Sequence, residues 1–260
     1  MMGFELSTRF MRVWQRNFQV YRKTWKIAFI PPLLEPLFYL AAFGIGLGNM
    51  VGRLSYGGSV TEYTAFIAPA LIAINIMQSA FFENTYASFV RMFYQKTFDA
   101  MLATPLTLDE IITGEILWGA TKSVIGTMLM MVIISLFGLL HYPHALLLLP
   151  AAVLGGLAFA SAGMICTAIT PTIETFNLPL FLFITPMFLF SGTFFPIENL
   201  PAWAQLIAQM LPLTHLTELC RSCALGKISS GTFIAVLYLA LWSVILFPLA
   251  LIRMRKRLIR

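Results

Sequence analysis

Three ionisable side chains stand inside long apolar runs: Glu35 in "LLEPL", Glu83 in "FENTY" and Lys122 in "ATKSV". A charge held in hydrocarbon is costly, so each is a candidate for function. A buried acid needs a partner, and the shared depth and opposite sign lead us to expect Lys122 to pair with Glu35, with Glu83 or with both. The same charges could instead relay protons, the chemistry of an ion-coupled carrier. Other reactive types are sparse. Cys220 and Cys223 with His215 are too few for a zinc set, and their helical spacing is awkward for a disulfide. There is no Ser/His/Asp set and no His-Glu-x-x-His, so neither a catalytic residue nor a metal ligand is expected. Gly114 and Gly119 are followed by Ala120 in a helical run rather than by Lys-Ser/Thr, which is not a phosphate loop.

Membrane helices must hold these charges. Of 260 residues, 59% are hydrophobic and only 11% charged, more apolar surface than one soluble domain can bury. A spanning helix needs about 20 apolar residues, and six segments qualify: 32–52, 64–90, 112–139, 145–169, 175–195 and 232–252. Cations collect in the N-terminal segment, in 91–115 and in the tail "RMRKRLIR", whereas the opposite loops hold only Arg53, Arg221 and Lys227. The positive-inside rule then puts both termini in the cytoplasm, which an even number of spans satisfies. The basic balance therefore reports topology and not a nucleic-acid partner. The first residues show neither the apolar core nor the cleavage site of a signal peptide.

The connections carry their own signals. Arg9, Arg12, Arg16, Lys23 and Lys26 recur on one helical face, and Phe10, Trp14, Phe18, Tyr21 and Trp25 on another. That spacing predicts an amphipathic helix over 5–30 lying in the headgroup layer, stopped by Pro31-Pro32. The largest cytoplasmic connection contains a short helix in "YQKTFDAMLA", ended by Thr104-Pro105, and a capping box from Thr107 to Glu110 that starts the next helix. It reads as a solvated hairpin or as a docking knob. Span four carries Gly155, Gly156, Ala158, Ala160, Ala162 and Gly163, a close-packing face. Near the end, "FSGTFFPIENLPAW" breaks an apolar run with Gly192, Pro196 and Pro201. Irregular backbone at membrane depth needs protein or a wet cavity around it. Glu198 or Asn199 is expected to cap the helix that follows, and Pro212 to end it.

The chain resembles the membrane subunit of type-2 ABC exporters, and within it the nodulation-factor exporter permeases. The resemblance rests on "YRKTWK", "LLEPLFYLAAFGIGLG", "FIAPAL", "FENTYASFVRM", "TFDAMLATPLTLDEIITGEILWGATKS", "ITPMFLFSGTFFPIENLP" and "LPLTHLTELCR", spread over nearly the whole length. The segment "ELCRSCALG" departs from the ending expected there. The resemblance implies an all-α polytopic membrane protein, one transmembrane domain over 1–260 with six spans, working as a homodimer in the bacterial inner membrane. Two copies of an ABC ATPase subunit would bind the ATP and Mg that this chain does not hold. Residues 94–106 would be the coupling helix in an ATPase groove, with Thr97, Phe98, Asp99, Met101, Leu102 and Pro105 at the contact. Residues 192–226 would fold back as an outer re-entrant hairpin. Phe190, Phe194, Phe195 and Trp203 would line the exit, where sugars or acyl chains can stack.

Two functions of different class follow. The first is the permease of an ATP-driven exporter moving an amphipathic substrate: a lipo-oligosaccharide, a lipid-linked glycan or a hydrophobic drug. The second is an ion-coupled secondary transporter using Glu83 and Lys122, against which the missing inverted repeat counts. An intramembrane enzyme is the weakest reading, for want of a catalytic set.

Overall fold

The structure, a computed structural model, describes residues 7–28, 30–48, 52–56 and 59–258. Helix α1 (Phe10–Ala28) is followed by α2 (Ile30–Tyr39), which runs on as a π-helix through Leu40–Leu47. Strands β1 (Arg53–Tyr56) and β2 (Ser59–Glu62) pair antiparallel, with Arg53 opposite Glu62 and Tyr56 opposite Ser59. Then come α3 (Tyr63–Tyr94), the short α4 (Thr97–Leu102), α5 (Leu108–Leu136), α6 (His144–Ile169) and α7 (Ile173–Phe190). The chain ends with α8 (Ala202–Met210), α9 (Pro212–Leu225) and α10 (Ser230–Leu258).

Among the described residues, α3, α5, α6, α7 and α10 are long and apolar enough to cross a membrane. The sixth expected span, 32–52, falls on α2 and its π-helical continuation, with 49–51 outside the described residues. The hairpin of β1 and β2 is an addition to the all-α expectation.

Local chemistry sets the ends. The Thr107 hydroxyl accepts from the Glu110 amide, and the Glu110 carboxylate accepts from the Thr107 amide at 2.8 Å. This capping box starts α5 where the sequence placed it. Helix α7 stops at Phe190 because Gly192 takes a left-handed φ of 66°, which favours glycine. The expected caps of α8 are corrected: Pro201 is its N-cap residue, and neither Glu198 nor Asn199 makes a capping bond. Gln205 of that helix reaches back instead, donating to the Leu200 carbonyl at 2.8 Å. Pro212 occupies the first turn of α9 rather than only ending α8, where its missing N–H is harmless.

Helix α6 sits centrally, packed on α3, α5 and α10. Its small residues permit that approach: a Cβ on Gly163 would lie 2.8 Å from the Phe81 carbonyl, and one on Gly156 2.9 Å from Ala120 Cα. The small-residue face is therefore used within the chain, against α3 and α5.

Candidate functional site

The site begins where α1 lies on α5. Val13 and Asn17 are buried there. Gly114 admits them, since a Cβ at that position would come 2.6 Å from Val13 Cβ. Trp118 receives three rings of α1 edge-on: Trp14, Phe18 and Tyr21, at centroid distances of 6.5, 6.4 and 5.5 Å. The Trp14 indole donates to the Thr121 hydroxyl at 2.8 Å. So Trp14, Phe18 and Tyr21 of α1 pack on protein, while Trp25, further along the same helix, is exposed. Arg9, Arg12, Lys23 and Lys26 are exposed, while Arg16 is half-buried and donates to the Asn17 amide oxygen at 2.9 Å.

Beneath this contact four charges meet. Lys122 Nζ lies 2.7 Å from Glu83 Oε2. Arg91 donates from Nη1 to Glu83 Oε1 at 2.8 Å and from Nη2 to Glu115 Oε2 at 2.5 Å. Trp118 adds its indole N–H to Glu83 Oε1 at 3.1 Å, and Ser88 donates to Glu115 Oε2 at 2.7 Å. Asn17 reaches across from α1 to Glu115 Oε1 at 2.8 Å. Every carboxylate oxygen of the two acids thus has a donor, which offsets the desolvation of a buried pair. The backbone of α3 widens to π-helical turns at Glu83–Ala87 and Val90–Tyr94. Such turns concentrate at functional positions, and here they carry Glu83 and Arg91. A cavity of about 430 Å³ opens onto the network, its wall including Arg16, Tyr21, Tyr86, Trp118 and Lys122.

Of the three intramembrane charges read from the sequence, Glu83 and Lys122 come together, and the side chain of Glu35 lies outside the described residues. Two members were missed. Arg91 fell just past the expected end of its span at residue 90, although α3 runs on to Tyr94, and Glu115, inside the expected span 112–139, was not counted among the intramembrane charges.

Helix α4 follows the network directly. Lys96, at a left-handed φ of 52°, turns the chain into it. The six residues named for partner contact divide: Phe98 and Met101 are buried, Thr97 is half-buried, and Asp99, Leu102 and Pro105 are exposed. The far side of α5's first turn is tied to α10, where Arg255 makes a two-point ion pair with Asp109, its Nε donating to Oδ1 at 2.6 Å.

At the other end of the bundle, the aromatics do not form one cluster. Phe194 packs between Phe43 and Phe188, at 5.1 and 5.0 Å. Phe190 is half-buried, and Phe195 and Trp203 are exposed. Trp203 shares the open face of α8 with Leu206, Ile207 and Met210. The residue that organises this end is Arg221, read from the sequence as a loop charge and found buried in α9. It donates to the carbonyls of Phe66 at 3.1 Å, Gly192 at 2.7 Å and Thr193 at 3.1 Å, and lies 3.7 Å over the Phe66 ring. Cys220 and Cys223 are free thiols beside it.

Comparison with known proteins matches residues 8–225 to the family described as ABC-2 type transporter. The chain is 38% identical to nodulation protein J of Rhizobium leguminosarum bv. viciae, over 96% of this chain and 95% of that one. It is 36% identical to nodulation protein J of Sinorhizobium fredii, over 95% and 93%. It is 25% identical to the inner membrane transport permease YadH of Escherichia coli, over 90% and 93%. The long apolar helices, the length of the match and these relatives agree: the chain is membrane-embedded and belongs to the ABC-2 type transporter family, whose members are membrane subunits that partner with an ABC ATPase.

Proposed function

We propose that this chain is the transmembrane subunit of an ATP-driven exporter that carries an amphipathic substrate out across the bacterial inner membrane. The substrate class is a lipo-oligosaccharide, a lipid-linked glycan or a hydrophobic drug; the kinship with nodulation protein J favours the first. Two copies of the chain form the permease, with both termini cytoplasmic, and two ATPase subunits bind ATP and Mg. The exposed side of α4, with Asp99, Leu102 and Pro105, enters the ATPase groove.

One observation carries this reading. Helix α4 is bounded by elements that the charge network already joins: Arg91 lies in the last turn of α3 and Glu115 in the first turns of α5, locked together at 2.5 Å. Asn17 extends the lock to α1. A push on α4 is therefore delivered to α1, α3 and α5 as one body, because the network's alternatives are unpaired buried charges costing several kcal/mol each. Coupling by rigid-body motion of packed elements needs such a unit.

The ion-coupled reading has less support. A proton carrier needs an acid that can be vacated, and each oxygen of Glu83 and Glu115 already accepts from a fixed donor.

The test is ATPase activity of the reconstituted chain, alone and with its candidate ATPase subunit. Activity only in the complex, reduced by Asp99→Lys or Leu102→Arg, supports the proposal. Transport that persists on an ion gradient with no ATPase present sinks it.

A further inference from the structure

A second basic site lies at the end of α10, and the transport reading makes no use of it. Arg253, Lys256 and Arg257 line a cavity of about 520 Å³ with Ala168, Ile169 and Pro171 from the end of α6 and the turn after it. Small-ligand sites measure roughly 300–1,000 Å³. Its lining is sharply divided between three cations and three apolar residues.

The acids of this end are absent from the wall. Asp109 is taken by Arg255, which does not line the cavity. Glu174, the acid of the adjoining connection, does not line it either. Among the described residues, Arg253 and Lys256 form no ion pair, and both are exposed. Arg257 is fixed in place: its guanidinium donates to the Thr167 carbonyl and lies 4.9 Å from the centre of the Phe93 ring. One preset cation and two free ones around a concavity concentrate positive potential.

The apolar half selects among anions. Ile169 is 63% exposed, and Ile252, next to Arg253, is 42% exposed. A soluble anion would leave both unused. A ligand with an anionic head and a hydrocarbon tail satisfies both halves, and basic pockets between membrane helices have this recognition chemistry. We infer that the cavity seats the phosphodiester headgroup of an anionic phospholipid, with an acyl chain running along Ile169 and Ile252. This is a resident lipid of the bilayer and is independent of the exported substrate.

The experiment is native mass spectrometry of the full chain in detergent, titrated with dioleoyl-phosphatidylglycerol or dioleoyl-phosphatidylcholine. We expect one phosphatidylglycerol per chain, bound well above phosphatidylcholine. The Arg253→Gln/Lys256→Gln variant should lose about thirtyfold in that affinity, the summed surface attraction of two basic residues. Arg253→Gln alone should lose part of it. The control Lys23→Gln/Lys26→Gln removes the same charge from α1 and should leave the preference intact. Equal loss in the control would reduce the effect to general attraction and overturn the site. So would a preference that neither Arg253 nor Lys256 moves, or displacement of the lipid by excess inorganic phosphate. If the double variant keeps its lipid but no longer holds the ATPase subunit, the patch faces protein and the inference is wrong.

Discussion

Arg255 closes on Asp109 with two hydrogen bonds, clamping the last turns of α10 onto the first turn of α5. The Asp109 side chain is only 1% exposed, while that of Arg255 is 20% exposed. Removing the arginine strands a buried carboxylate. Arg255→Met should cost about 3 kcal/mol, read as a lower midpoint when the detergent-solubilised chain is heated and passed over a sizing column. Adding Asp109→Leu to that variant should recover part of the loss, because the orphan acid is then gone. No recovery would mean that the pair is not what holds the two helices.

The four-charge network predicts an order. Arg91→Met leaves oxygens of both Glu83 and Glu115 without their donor and should be the most damaging, at about 3–5 kcal/mol. Lys122 is one-third exposed in its side chain and Glu83 keeps two other donors. Lys122→Met should therefore cost about 1 kcal/mol, near the surface-pair range. Melting midpoints of the two variants decide the matter; the reverse order would assign the central role to Lys122.

Gly114 tests the seat of α1. Even Gly114→Ala puts a methyl 2.6 Å from Val13 Cβ and 2.9 Å from the Phe10 carbonyl. Helix α1 must lift from α5, separating Trp14 from Trp118. Protease cutting within α1 should rise several-fold and transport should fall, with α3 to α10 still folded. Unchanged protection of α1 would show that the contact yields without cost.

Helix α4 separates docking from folding. Asp99→Lys and Leu102→Arg alter exposed positions, so ATPase-subunit copurification should fall while the melting midpoint stays. Phe98→Ala empties a buried site, and a large aromatic lost from a core costs about 3–5 kcal/mol. It should lower both. A Phe98 variant that melts normally yet fails to bind the ATPase would turn the residue outward, against its burial.

Much of this was legible from residue order. Five of the six expected spans follow from apolar length, the start of α5 from Thr107 and Glu110, and the Lys122–Glu83 contact from opposite sign at shared depth. Arg91 was not, because charge density marks a loop as readily as a buried cation, and only the partner acids 24 and 8 residues away distinguish the two. Arg221 was hidden for a related reason: its partners are carbonyls, which every sequence contains. The β-hairpin had a signal that went unread, Gly57-Gly58 between short runs suited to strands. The packing of Trp14, Phe18 and Tyr21 on Trp118 was invisible, since amphipathic periodicity says that one side is apolar but not what covers it.

The Arg255–Asp109 clamp also has a consequence for biosynthesis. Its partners are 146 residues apart in the chain. At about 5–20 residues per second of synthesis, the start of α5 waits on the order of ten seconds for its counter-charge. Through that interval Asp109 must be held by water at the membrane surface or by the insertion machinery. The final turns of α10 therefore act late, and a chain cut short before Arg255 would leave the start of α5 unlatched.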